Sequence, residues 1–199
     1  MRIKHLFLPA IASTLILSAC GGGDPPPPPA PTGPTQAEID ARNDSIAAAR
    51  AAAEARAAAE RDAQRREQER LARARDQARA TLEERVHFDF DRSEIRPDAE
   101  QVLRRKLPIL RNSPALRIRM EGHADERGST EYNLALGSRR AESVREFLSG
   151  FGISADRFTT TSFGEERPMV NRSDEEAWAQ NRRVEFVITG GQIVVSEDD

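Results

Sequence analysis

From residue 86 onward, apolar and polar positions follow two distinct periods. VHFDFD sets Val86, Phe88 and Phe90 against His87, Asp89 and Asp91, the alternation of a half-buried strand. LRIRMEG repeats it, with Leu116, Ile118 and Met120 on one side and Arg117, Arg119 and Glu121 on the other. RFTTTSF and RRVEFVI supply two more strands, with DEEAWAQ as a short helix between them. After the first strand, Pro97 opens a helix because it has no backbone donor to lose, and Asp98 and Glu100 complement the positive end of the helix dipole. Its Ala99, Val102, Leu103, Leu107 and Leu110 share one face. Pro108 removes a donor within that pattern and is expected to kink or end the helix. A second helix is expected from about Thr130 to Ser149, capped by Ser129 or Thr130 and ended by Gly150. The apolar faces of the two long helices need only one sheet face to cover. The expected fold class is therefore α+β, a two-layer sandwich with a βαβαββ mixed sheet and helices on one face.

Before this domain, over residues 37–85, the pattern changes to Ala, Arg and Glu without Gly or Pro. Alanine is the best helix former and long unbranched side chains come close behind, so a long helix precedes the sandwich. It holds 11 arginines and 11 acids, with Asp62 and Arg66 or Glu69 and Arg73 spaced to pair across a turn. Ile39, Ile46, Leu71 and Leu82 are its only large apolar residues and do not sustain a heptad. A single solvated helix would reach roughly 70 Å as a spacer. A coiled coil and a partly disordered tail are the open alternatives.

The N-terminus has Arg2 and Lys4 before the apolar run LFLPAIASTLIL, the layout of an export signal over residues 1–19. The run is too short to read as a membrane span. The single cysteine, Cys20, follows Leu17-Ser18-Ala19, which resembles a lipobox, so Cys20 is the expected lipidation site. Several acyl chains on one residue give stable anchoring without a span. Gly21 at the next position favours the periplasmic face of the outer membrane. Residues 20–36 form a Pro/Gly-rich linker of polyproline type, and residues 191–199 an acidic tail. Removing Arg2 and Lys4 with the signal leaves 28 basic against 33 acidic residues, a net charge of −5. That balance excludes a nucleic-acid partner.

The densest chemistry lies in GHADERGSTEYNLALGSRRA, residues 122–141. This stretch covers the end of the second strand, a loop and the second long helix, a common place for ligand sites. Asn133, Leu136 and Arg140 share one helix face, while Leu134, Gly137, Ala141, Val144 and Leu148 form an adjacent core face. Asp125 in the loop offers an acceptor, and Arg140 a planar two-pronged donor. Plainer roles stay open: Arg140 or Arg139 pairing with Glu142 or Glu146 on a solvated face, and Asp125 capping its own loop. Arg182 and Arg183 are expected to be structural. Read as an exposed residue, Arg140 is expected to add little stability. Pairing His123 with Asp125 and Glu126 would suggest a general base or a metal site. No cysteine, serine elbow or second histidine lies at useful spacing, so no catalytic residue, metal or cofactor is expected. His123 is expected to be a hydrogen-bonded structural residue.

Four segments, FDFDRSEIRPDAE, EGHADERGSTEYNLALGSRRAESVREFL, SFGEERP and AWAQNRRVEFV, together resemble the OmpA C-terminal-like peptidoglycan-binding domain family over residues 86–190. Asn133, Leu136, Gly137, Arg140, Ala141, Val144 and Leu148 follow the family's signature helix, with Gly137 where serine is more usual. The resemblance implies that Asp125 and Arg140 hold the diaminopimelate of the peptidoglycan stem peptide. It adds a hydrogen bond from Asn133, with Leu136 beside it and Phe90 and Asp91 as the far wall. An ammonium beside a carboxylate, as in diaminopimelate, calls for one anion and one fork-shaped cation. The family's lipoproteins also dock a TolB-like propeller on an overlapping surface, which implies competition between wall and propeller. The long helical spacer keeps an alternative open: an OmpA-family lipoprotein outside the Tol system, acting as an oligomeric structural strut.

Overall fold

The computed structural model describes residues 33–195. The export signal, Cys20, the linker up to residue 32 and residues 196–199 of the acidic tail lie outside the described residues. The chain divides between Glu54 and Ala55 into two compact units. In the first, a capping box starts helix α1 (Gln36–Glu83). Thr35 N donates to Glu38 Oε2 at 2.7 Å, and Glu38 N donates to Thr35 Oγ1 at 3.4 Å, so two orphan donors of the first turn are satisfied reciprocally. Residues 36–54 are exposed throughout.

In the second unit the ion pairs of α1 are Asp62–Arg65 and Glu67–Arg70 at a spacing of three, and Arg79–Glu83 at four. The expected pairs Asp62–Arg66 and Glu69–Arg73 are replaced because both spacings bring side chains together on a helix with similar small gains. The end of α1 is not solvated. Leu82 is fully buried in the domain core, and Leu71, Ala74, Ala78 and Thr81 are half-buried along one stripe.

The domain continues as β1 (Val86–His87), α2 (Pro97–Asn112), β2 (Arg117–His123), α3 (Thr130–Gly150), β3 (Phe158–Gly164), α4 (Glu175–Asn181) and β4 (Arg183–Gly190). The sheet order is β1-β4-β2-β3; β2 and β3 are parallel, and β4 is antiparallel to both neighbours. Ile118, Met120, Val184 and Phe186 of the sheet meet Leu103, Leu107 and Leu110 of α2 and Ala141, Val144 and Leu148 of α3 in one core. The α+β two-layer arrangement follows the periodicity of the chain.

Two local expectations are corrected, and at a third position the space is tighter than the family's usual serine implies. VHFDFD is not a six-residue strand: pairing stops after His87, Phe88 is buried, and Phe90 turns outward at 54% exposure. The chain leaves the sheet into a turn, with Asp91 at a positive φ of 53°. Pro108 does not end α2, which runs four residues further. Pro108 and Arg104 are both exposed, so water can take the Arg104 carbonyl that loses its donor. At Gly137 more than a small residue is required. A Cβ there would sit 2.4 Å from Ser162 Oγ and 2.8 Å from Gly122 O, because α3 lies directly on the backbone of β2.

Lys106 of α2 helps to attach α1; its amine is fully buried, and burial pulls its pKa down to about 7. Its Nζ donates to the carbonyls of Thr81 at 2.7 Å, Leu82 at 2.9 Å and Glu84 at 2.6 Å, and lies 4.1 Å from the Phe186 ring centroid. Three N–H groups meet three carbonyls at or just beyond the last turn of α1, where acceptors have no helical partner. Lys106→Met keeps the apolar stem but strips that cap, and should lower stability by about 1–3 kcal/mol in urea denaturation.

Candidate functional site

At the end of β2 the chain turns through residues 124–129 into α3, whose N-cap Ser129 accepts from Tyr132 N at 3.3 Å. This junction and the loop after β1 enclose a cavity of about 200 Å³. Phe90, Asp91, Asp125, Asn133, Leu136 and Arg140 all line it, so the six residues singled out from the sequence are brought together. Arg127, Gly128 and Tyr132 also line it and were not singled out.

Arg140 is not the exposed helix residue expected; it is fully buried. Nε donates to Arg92 O at 2.8 Å, one terminal nitrogen to His123 O at 2.7 Å and the other to Asp89 O at 3.1 Å. A buried charge must be hydrogen-bonded, and here the partners are main-chain carbonyls of the β1 loop and the β2 end. The plainer pairing with Glu142 is also overturned, because Glu142 pairs with Arg145. Each terminal nitrogen of Arg140 keeps one N–H beyond those bonds, where an open fork was expected. Burial pulls its pKa down to about 10, against the pull of Asp125, so it stays cationic at neutral pH.

Asp125 is 4% exposed. Its Oδ1 accepts from Arg127 N and Arg127 Nε, both at 3.1 Å, and its Oδ2 from Arg127 Nη2 at 2.7 Å and Arg182 Nη1 at 3.3 Å. The bond from Arg127 N is the loop cap considered for this residue. Burial would raise its pKa, but the hydrogen bonds from Arg127 and Arg182 outweigh it and hold the carboxyl below its usual range. The Arg127 guanidinium lies 4.0 Å from the Phe90 ring centroid and 4.1 Å from that of Trp178. Cations over aromatic faces are attracted by the ring quadrupole, which explains the outward turn of Phe90. Arg127 was legible as one of three arginines in the loop-helix stretch, but its rings come from the β1 loop and α4, which no local pattern connects.

The remaining residues brace the wall. Asn133 donates to Arg127 O at 3.3 Å and to Glu165. Tyr132 donates its hydroxyl to Asp91 at the rim. Arg182 donates to Phe88 O at 3.1 Å and pairs with Glu175 at 2.8 Å as well as with Asp125. The cavity thus offers a buried carboxylate, a buried guanidinium and an aromatic edge, a set suited to a zwitterionic ligand.

His123 corrects another expectation. It is 2% exposed, both ring nitrogens lack hydrogen-bond partners, and the ring stacks on Phe163 at 5.6 Å. Its acidic neighbours are Glu121 and Glu185. Glu126, one of the acids considered beside it, accepts instead from Trp178 Nε1 at 3.1 Å. Burial, with repulsion from Arg183, pulls the imidazole pKa down to about 4.

A four-stranded α+β sandwich with this cavity at the β2–α3 junction defines the class. Residues 87–182 match the OmpA family, and the chain belongs to that family. It is similar to the peptidoglycan-associated lipoprotein of Agrobacterium fabrum, 48% identical over 107 residues that make up 54% of this chain and 60% of the relative. Similarity to the peptidoglycan-associated lipoprotein of Brucella melitensis is 47% identity over 107 residues, 54% of this chain and 64% of the relative. The crystal structure of the peptidoglycan-associated lipoprotein from Burkholderia pseudomallei superposes with a TM-score of 0.51 at 40% identity, covering 52% of this chain and 88% of that one. The matched part spans less than two thirds of the length of the two curated relatives.

Arg140→Ala leaves three carbonyls without their donor and should lower stability by about 2–4 kcal/mol in urea denaturation. For His123, the folded pKa near 4 lies below the ordinary 6.5, so the unfolded chain takes the proton first. As the pH falls from 6.5 to 4, the wild type should lose Tm relative to His123→Phe, a comparison that thermal melts across that window make directly.

Proposed function

We propose that this chain tethers a membrane to the cell wall by binding peptidoglycan non-covalently through the diaminopimelate of its stem peptides. The observation that carries the reading is the convergence of Asp125, from a loop, and Arg140, from α3, on one cavity. Asp125 takes the ligand ammonium, and Arg140 meets the adjacent carboxylate with the N–H groups its carbonyl bonds leave over. Arg127 already occupies Asp125, so the ammonium competes with it, and Arg127 is the residue that yields. Asn133 and Leu136 floor the site, while Phe90 and Asp91 form the far wall. Relatives with the same domain are named for peptidoglycan association, which supports this reading.

In the same proposal the chain is an outer-membrane lipoprotein, lipid-anchored at Cys20 on the periplasmic face, and the lipoprotein component of a Tol–Pal system. A TolB-like propeller is its protein partner. Exposed Phe90 and Tyr132 rim the wall-binding cavity, so propeller and wall compete for one surface.

The test is co-sedimentation of the full chain, carrying Cys20→Ser, with purified diaminopimelate-type sacculi. Asp125→Asn keeps the shape and removes the charge. It should weaken pelleting by about tenfold or more, equivalent to about 1.4 kcal/mol. Pelleting equal to the wild type by the folded variant would refute the site.

A further inference from the structure

On the sheet face opposite the helices, Glu121 of β2 stands directly across from Glu185 of β4 in the antiparallel register. Glu121 is 7% exposed, and each carboxylate is already paired with arginine, Glu121 with Arg119 and Glu185 with Arg183 and Arg85. His123 follows two residues later on the same face of β2. Its two buried nitrogens make no hydrogen bond, although an unmet buried polar group costs about 1–3 kcal/mol. One ligand atom from each of the three residues lies within 4.8 Å of the others. Small rotations of the glutamates would bring all three to the roughly 2.0–2.2 Å that one ion requires. We propose that Glu121, His123 and Glu185 form a binding site for a borderline divalent metal ion of the zinc class.

The donor set selects the ion. One imidazole nitrogen with two carboxylate oxygens suits zinc-class transition metals, whereas magnesium and calcium favour oxygen alone. A dication would give one His123 nitrogen its partner and bridge the two carboxylates across the strands. Three neighbouring arginines hold the two carboxylates in place. Arg119 donates to Glu121 Oε1 at 2.7 Å, while Arg183 and Arg85 donate to Glu185 Oε1 at 2.7 and 3.1 Å. All three fall on one oxygen of each carboxylate and leave the second to turn toward the ion. Their positive charge opposes a dication, so affinity in about the micromolar range is expected. Half-exposed Glu185 gives the ion its way in and leaves a coordination position open to water.

The experiment titrates Zn²⁺ into the full chain carrying Cys20→Ser, so that the thiol cannot take the metal. Histidine ring nitrogens are followed by NMR, and stoichiometry is read by competition with a chromophoric chelator. One Zn²⁺ per chain, a shifted His123 ring nitrogen, an unshifted His87 and no response to Mg²⁺ are expected. Glu185→Gln and Glu121→Gln should each weaken binding by about tenfold or more, and His87→Gln should leave it unchanged. The proposal fails if the wild-type His123 resonance does not respond to a several-fold excess of Zn²⁺. It also fails if the folded Glu→Gln variants bind as the wild type does, or if His87→Gln abolishes binding.

Discussion

Buried basic side chains that donate to main-chain carbonyls hold this domain together where its elements meet. Arg140 joins the β1 loop to the end of β2. Arg157 closes the passage from α2 to β2 through the carbonyls of Leu110, Ser113 and Leu116. Lys106 caps α1. Each places a basic group at a junction where backbone acceptors run out of regular partners, so the carbonyls are satisfied although burial lowers the pKa of every one of the three. The arrangement fixes loops that hydrophobic packing alone would leave free. The cavity walls come from such loops.

This constraint shapes the candidate site. Arg140 serves first as a strut, and only the N–H groups left over from its three carbonyl bonds remain for the proposed ligand. Asp125 is likewise held by Arg127 and Arg182 before any ligand arrives. Asp125 is therefore already paired within the protein, and in the proposed function a zwitterion enters by exchanging partners with Arg127. Phe90 and Trp178 hold Arg127 by its faces, leaving its N–H edges to Asp125 and Glu175.

Close backbone approach is the second determinant of the cavity's position. Gly122 and Gly137 let α3 rest on β2 without intervening side chains, and a Cβ on Gly122 would fall 1.9 Å from Gly137 O. That contact brings Asn133, Leu136 and Arg140 over the end of β2. On the far side of the sheet, alternation along β2 and β4 gathers charge in place of apolar residues, and Glu121, His123 and Glu185 become neighbours.

Local patterns reached a long way. Helix and strand periods fixed the α+β sandwich, Ala and Arg content the long α1, and the loop-helix stretch held four of the six expected residues that share one cavity, Phe90 and Asp91 being added by the family resemblance. They failed where a residue's role depends on distant partners. Arg140 read as solvated because Glu142 and Glu146 on its own helix offered themselves as partners; its acceptors lie on two other segments. Alternation set Phe90 on one strand face with Val86 and Phe88, because it cannot register that β1 stops at His87 and that a guanidinium waits outside. His123 was set beside Asp125 and Glu126, its sequence neighbours, whereas strand register gives it Glu121 and Glu185. The sequence by itself determined the elements and the face each one buries, since these follow from spacing along the chain. Which charges are buried, and against what, was decided only by the tertiary structure, because hydrogen bonds and ion pairs depend on contacts between segments that the chain order keeps apart.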